Sequence, residues 1–106
     1  MKKVYIASPY TKGDVAMNVK RQMQVVDQLM DVGGYLPFAP LYSHFQHMMF
    51  PRPYEDWLEL DLAWLESMDV LLRLDGESSG ADREVERFKE LGRPVVYSID
   101  ELLMLS

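Results

Sequence analysis

A carboxylate in the segment 81–91 occupies a position where a structural helix would carry an apolar side chain. The apolar residues recur with helical spacing at Ala81, Val85, Phe88 and Leu91, and Glu84 lies on the same stripe. Burying an unpaired ionised group costs several kcal/mol, so such a residue is usually paired, exposed in a cleft or catalytic. Because the start of a helix favours anions, Glu84 is expected to stay ionised while it faces inward.

A second acidic residue, Asp61, interrupts another apolar stripe. That stripe consists of Trp57, Leu60, Trp64, Leu65 and Met68. Each carboxylate alone is also compatible with a capping, salt-bridged or rim residue, because structural networks hold such acids too. Two inward carboxylates on two helices nevertheless indicate one shared site, because each would be a poor core residue by itself.

Strands and helices alternate along the whole chain. The pattern predicts strands at 3–7, 35–38, 69–74 and 94–97, helices at 15–32, 54–68 and 81–91, a short helix from Asp100, and an irregular segment at 39–53. Because no hairpin signal separates the strands, they are expected to pair in parallel through right-handed crossovers. The predicted fold is therefore α/β: one domain over residues 1–106, a Rossmann-like (flavodoxin-like) parallel sheet of four to five strands with helices on both faces.

This architecture predicts where a site lies. In open parallel sheets, ligands bind beyond the carboxyl ends of the strands, where the strand order reverses. The loop 8–14 and the loop 75–80 both reach that edge, and Glu84 follows the second of them closely. Within that loop, the run Ser78-Ser79-Gly80 can cap the following helix, and it can also present backbone N–H groups to a phosphate or a sugar hydroxyl.

The irregular segment contains two histidines that are candidate metal ligands. The pair His44 and His47 lacks a third ligand at suitable spacing, so neither a metal nor any other cofactor is expected. His44 is instead expected to reach the pocket as a hydrogen-bond donor. The run Met48-Met49-Phe50 is expected to form the apolar underside of a lid over that pocket.

Composition excludes several classes of protein. The 106 residues are 48% apolar, which is enough for one core, and the absence of cysteine excludes disulfides, thiolate nucleophiles and cysteine-bound zinc. The first residues lead directly into a strand rather than a signal peptide, which predicts a cytoplasmic location. No apolar run approaches the roughly 20 residues of a membrane helix, so no membrane partner is expected. The net charge of −6 argues against a nucleic-acid partner.

The chain resembles the nucleoside 2-deoxyribosyltransferase superfamily, which includes the 2′-deoxynucleoside 5′-phosphate N-hydrolases. The resemblance spans nearly the whole chain and rests on five motifs in a fixed order. They are Tyr-Ile-Ala-Ser-Pro-Tyr, Ala-Pro-Leu-Tyr-Ser-His, Trp-x-x-x-Asp-Leu-x-Trp-Leu, Asp-Val-Leu-Leu, and Glu-Ser-x-Gly-x-x-x-Glu followed by Leu-Gly-Arg-Pro-Val.

The resemblance assigns roles to residues of this chain. Glu84 corresponds to the family's nucleophilic glutamate. Asp61 corresponds to an aspartate that orients the sugar or assists departure of the base, and Tyr5 to a tyrosine near the nucleophile. The expected substrate-binding residues are Ser8, Pro9, His44, Ser78 and Gly80, of which Ser78 and Gly80 match the loop that holds the 5′ end of the substrate.

The implied reaction is cleavage or transfer of the N-glycosidic bond of a nucleoside or nucleoside 5′-monophosphate. A retaining route needs an ionised carboxylate to attack the anomeric carbon and an acid to protonate the leaving base, and the residue types suit both parts. The sequence leaves hydrolysis and transfer open.

Two other classes of function remain possible from the sequence. One is a non-catalytic nucleotide-binding or sensing module on the same scaffold, and the other is a structural interaction domain without a pocket. A homodimer or higher homo-oligomer is also expected, because a sheet of this size has a small core. The helix that carries Trp57 and Trp64 is the candidate interface.

Overall fold

The computed structural model describes residues 1–105, and a four-stranded parallel sheet forms its centre. The strands are β1 (Lys2–Ala7), β2 (Tyr35–Phe38), β3 (Val70–Arg73) and β4 (Val95–Val96). Their spatial order is β2-β1-β3-β4, with Tyr5 of β1 beside Phe38 on one side and Leu71 on the other. The predicted α/β class and parallel sheet are confirmed.

Helices cover both faces of this sheet, as predicted. They are α1 (Val15–Val32), a 3₁₀ helix (Pro40–Ser43), α2 (His44–Met49), α3 (Tyr54–Leu65), α4 (Ser79–Glu90) and α5 (Ile99–Leu103). Leu29 of α1 and Leu102 of α5 belong to the core on one face, whereas Leu65 of α3 and Phe88 of α4 belong to the core on the other. Within residues 1–105, no helix combines the length and the apolar character that crossing a membrane requires.

Strand β1 divides its side chains between the two cores. Val4 and Ile6 point to the face covered by α1, and Tyr5 and Ala7 point to the face covered by α3 and α4. This alternation follows from the two-residue period of a strand. It places the Tyr5 side chain on the same side of the sheet as Glu84.

The orientation of α3 differs from the predicted stripe. Leu58 and Leu65 are its buried residues, whereas Leu60 and Trp64 are 47% and 50% exposed. The prediction was wrong for Leu60 and Trp64 because apolar residues occur all around this helix, so their spacing does not select one face. Asp61 nevertheless lies on the inner side, where it is partly buried.

The segment 39–53 is more regular than predicted, because it contains the 3₁₀ helix and α2. Pro40 begins the 3₁₀ helix, where its fixed φ angle and missing N–H cost nothing. Helix α2 has no buried residue. Met48, Met49 and Phe50 are between 62% and 71% exposed, so they do not form the buried underside of a lid.

Candidate active site

A cavity of about 370 Å³ opens at the carboxyl edge of the sheet. The strand order reverses between β1 and β3, and the loops that leave these two strands diverge there, as in other doubly wound sheets. The cavity wall includes Ser8 after β1, Ser78 after β3, Asp61 of α3 and Glu84 of α4. The site therefore lies where the topology predicted it.

Glu84 is buried at the base of this cavity and is paired with Tyr5. Its side chain is 6% exposed, and its Oε2 accepts a hydrogen bond from the Tyr5 hydroxyl, which is fully buried. Burial, followed by the nearby Glu84 charge, raises the pKa of Tyr5 well above its usual value. The tyrosine therefore remains protonated and donates to the carboxyl group.

The protonation state of Glu84 differs from the expectation of an ionised residue. Burial raises the pKa of Glu84 to about 8, although the Tyr5 hydrogen bond opposes this shift. Ser78 caps α4, so Glu84 is the sixth residue of the helix rather than a member of its first turn. The unbonded N–H groups at the helix start are therefore too far along the chain to keep this carboxyl ionised.

Asp61 joins Glu84 in the cavity, as the two inward positions predicted. Burial raises the pKa of Asp61 to about 7, and the negative charge of Asp61 in turn raises that of Glu84. The two groups therefore oppose each other's ionisation and titrate as a coupled pair. A carboxyl that exchanges its proton near neutral pH is suited to acid–base chemistry.

The start of α4 forms another part of the wall. Ser78 Oγ accepts a hydrogen bond from the backbone N–H of Ala81 at 3.1 Å, so the predicted cap is present, and Ser78, Ser79 and Gly80 all line the cavity. A Cβ atom on Gly80 would lie only 2.7 Å from the Tyr54 hydroxyl oxygen. A larger residue at position 80 would therefore displace the Tyr54 side chain from the start of α4.

Gln22 of α1 is a cavity residue that the sequence analysis missed. Its Nε2 donates to Ser8 Oγ at 2.8 Å and to the Ile6 carbonyl at 3.1 Å, while its Oε1 accepts from the Leu41 backbone N–H at 3.2 Å. Gln22 thus joins the end of β1 to the segment after β2. A buried polar residue on the apolar face of a long helix was the available signal.

Arg73, the last residue of β3, was also missed. It is buried, and its guanidinium donates to the backbone carbonyls of Leu74 and Gly76 and to Asp82 Oδ1 at 3.1 Å. These bonds hold the loop after β3 against α4. The positive charge of Arg73 also acts to lower the pKa of Glu84, although burial outweighs it.

The two histidines of α2 lie in different surroundings. His47 lines the cavity, whereas His44 does not, and His44 Nδ1 lies 2.7 Å from the hydroxyl of Tyr10, which is itself a lining residue. Pro9 also stays out of the wall. It packs against Gly76, where a Cβ atom would lie 2.7 Å from the Pro9 Cγ. Both residues can thus affect a ligand only through their neighbours.

The charged groups at the opening of the cavity are paired with one another. Lys12 Nζ lies 3.4 Å from Glu77 Oε2, and Arg52 Nε lies 3.0 Å from Asp56 Oδ2. In the part of the chain that the structure describes, residues 1–105, no three His, Asp or Glu side chains cluster to hold a metal ion.

Comparison with known proteins identifies the family by sequence and supports the fold by structure. The family model for a domain of unknown function, DUF7768, matches residues 2–98, so the chain belongs to this family. No curated protein matches the sequence.

One solved structure with a similar fold is a 2-deoxyribosyltransferase from the psychrotolerant bacterium Bacillus psychrosaccharolyticus. The TM-score is 0.59 and the identity is 22%, over 88% of this chain and 69% of that chain. At this identity the likeness establishes a shared Rossmann-like fold. The fold implied by the sequence resemblance is thus confirmed, and activity is a separate question.

Proposed function

We propose that this protein cleaves or transfers the N-glycosidic bond of a nucleoside or nucleoside 5′-monophosphate through a glycosyl intermediate on Glu84. The observation that carries the proposal is the meeting of Glu84 and Asp61 in one cavity, with Tyr5 bonded to Glu84. The solved neighbour is described as a 2-deoxyribosyltransferase used in the synthesis of nucleosides, which supports the same class of substrate.

The proposed reaction has two steps. Ionised Glu84 attacks the anomeric carbon, the carbon–nitrogen bond breaks, and the departing base takes a proton from Asp61. Water, or a second base, then attacks the same carbon while Asp61 takes back a proton, and the ester to Glu84 breaks. The Tyr5 hydroxyl hydrogen-bonds to the carboxylate when it leaves and so stabilises the free enzyme.

The proposed reaction requires Glu84 to be ionised while Asp61 is protonated. The pKa of Glu84 is about 8 and that of Asp61 is about 7, so Asp61 loses its proton first. Without a ligand, only a minor fraction of the protein molecules therefore has Glu84 ionised and Asp61 protonated. A ligand that places positive charge next to Glu84 increases that share. The oxocarbenium-like transition state carries such a charge, so stabilisation by Glu84 is greatest there.

The test is mass spectrometry of the protein after incubation with 2′-fluoro-2′-deoxy nucleosides and their 5′-monophosphates. A glycosyl adduct is expected on the peptide that contains Glu84, and none is expected in Glu84→Gln. Glu86→Gln, an exposed glutamate two residues further along α4, is the matched control and should still form the adduct. An adduct on another residue, or its persistence in Glu84→Gln, would contradict the role of Glu84 as the nucleophile.

The second candidate is a nucleotide-binding or sensing module without catalysis. The observation that favours it is the raised pKa of Glu84, because a protonated carboxyl can donate a hydrogen bond to a ligand. This candidate predicts saturable binding of deoxynucleosides or their monophosphates with no release of free base, which chromatography of the incubated mixture would detect.

Cellular location and assembly stay predictions. We propose a cytoplasmic enzyme that forms a homodimer or higher homo-oligomer. The exposed Leu60 and Trp64 side chains support α3 as the interface, although Trp57 lines the cavity instead. Sedimentation that shows only a 12.3 kDa species at micromolar concentration would contradict the oligomer.

A further inference from the structure

His47 is held in one orientation at the wall of the cavity. The indole Nε1–H of Trp57 donates to His47 Nδ1 at 2.8 Å, and the two rings meet edge to face with centroids 5.7 Å apart. The backbone N–H of Arg52 donates to the same nitrogen at 3.4 Å. Two separate donors therefore converge on one ring atom.

These contacts determine which nitrogen of His47 carries the hydrogen. The indole nitrogen of tryptophan can only donate a hydrogen bond, so the Nδ1 that faces it must be the acceptor. In the neutral ring, the hydrogen then resides on Nε2. Among the described residues 1–105, no hydrogen-bond partner lies at Nε2, which leaves an oriented donor on a residue that lines the cavity.

The position of Trp57 on α3 relates this donor to the carboxylates. Trp57 and Asp61 are four residues apart, so they lie on the same face of the helix, about 6 Å apart along its axis. The carboxyl groups of Asp61 and Glu84 and the rings of Trp57 and His47 line the same cavity, and the part formed by Trp57 and His47 is called its aromatic end here. In the proposed reaction, a nucleoside whose anomeric carbon meets Glu84 can extend its base along α3 to this aromatic end.

We propose that His47 is a specificity-determining residue that donates a hydrogen bond from Nε2 to an acceptor atom of the nucleobase, with Trp57 as its positioning residue. The inference rests on the proposed function for the identity of the ligand. It predicts selection for bases that present a ring nitrogen or carbonyl oxygen at the aromatic end.

Nitrogen-15 NMR of the histidine side chains tests both parts of the inference. In the free protein, His47 is expected to show the tautomer with hydrogen on Nε2, and Trp57→Phe is expected to loosen this preference. Titration with 2′-deoxyadenosine, 2′-deoxyguanosine, 2′-deoxycytidine and thymidine should then shift the His47 Nε2 signal with at least one of them. His44, which lies on the same short helix but outside the cavity wall, provides the internal control.

Binding constants of variants add a second measurement. His47→Phe is expected to weaken binding of the responsive nucleoside by about 3- to 10-fold, the usual effect of one hydrogen bond. His47→Gln, whose amide can still donate, is expected to restore most of that loss. His44→Phe should leave the preference among the four nucleosides unchanged.

The inference and the proposed reaction can fail separately. If no nucleoside moves the His47 signal, or if His44→Phe and His47→Phe weaken binding equally, the inference is wrong. The adduct on Glu84 depends on neither measurement, so its presence would uphold the reaction in that case. Its absence together with a shifted His47 signal would instead favour the binding module.

Discussion

The buried wall, formed by Glu84, Gln22 and the nearby Arg73, differs from the exposed wall, which is helix α2. Glu84 and Gln22 of the first and His47 of the second line the cavity. Glu84, Gln22 and Arg73 are each less than 10% exposed, and each side chain has a hydrogen-bond partner. Helix α2, in contrast, contains no buried residue, and Phe45 is 73% exposed. A buried wall suits groups whose protonation must be controlled, and an exposed wall can vary with little effect on the fold.

Substitutions in the buried wall are expected to have their largest effect on enzymatic activity. Glu84→Gln should abolish the release of free base from a deoxynucleoside or its 5′-monophosphate, because the amide keeps the shape of the side chain and loses its nucleophilic charge. Asp61→Asn should lower the rate by about 10²- to 10⁴-fold, the usual contribution of a general acid. Chromatography of the released base measures both effects. Near-normal release by Glu84→Gln would mean that the buried wall does not carry the chemistry.

A smaller difference is expected in the pH dependence of stability. Because the pKa of Glu84 is about 8 in the folded state and 4.5 in the unfolded chain, the folded state binds more protons between these values. The free energy of unfolding therefore falls as pH rises from 4.5 through 8, and Asp61 acts in the same direction between 3.8 and about 7.

Urea unfolding of wild type and Glu84→Gln at pH 5 and pH 8 measures this effect. The variant lacks the ionisation of Glu84, so its stability relative to wild type should increase by a few kcal/mol between the two pH values, at about 1.4 kcal/mol per unit of pKa difference. Glu86→Gln removes an exposed carboxylate and should show no comparable increase. An equal response of both variants would mean that burial does not control Glu84.

The smallest expected effects compare stability at one pH. Arg73→Met removes the donor to the carbonyls of Leu74 and Gly76 and should lower the free energy of unfolding by about 2 kcal/mol. Met49→Ser, on the exposed wall, should change it by less than about 0.5 kcal/mol. Chemical unfolding measures both variants, and a large loss in Met49→Ser would indicate that α2 is covered by a partner in solution.

The buried wall was partly predictable from the sequence because local spacing carries the information. The stripe that contains Glu84 and the cap of α4 both lie within a few neighbouring residues. Gln22 was missed because its partners Ile6 and Leu41 are far along the chain. Arg73 was missed because its bonds to the Leu74 and Gly76 carbonyls depend on the path of the loop after β3 rather than on residue types. The prediction that Glu84 stays ionised was wrong because the pKa of this residue depends on where α4 begins and on what covers the carboxyl group.

The exposed wall was predicted less well for a different reason. His44 and His47 are three residues apart on one short helix, and their spacing does not reveal that His47 bonds to Trp57 whereas His44 bonds to Tyr10. In α3, apolar residues on every side left the orientation of Trp64 undetermined until the sheet was in place. Such choices are made by packing between elements rather than by local preference.

The contrasting positions of the two tryptophans provide an optical signal within the chain. Trp57 lines the cavity and its indole N–H is bonded to His47, whereas Trp64 is half exposed and stacks on Phe38 with centroids 5.4 Å apart. A ligand that enters the cavity changes the surroundings of the first indole and leaves the second as it was. In Trp64→Phe, fluorescence emission would arise from a single tryptophan at the site, so ligand entry could be followed on the millisecond timescale without any attached dye.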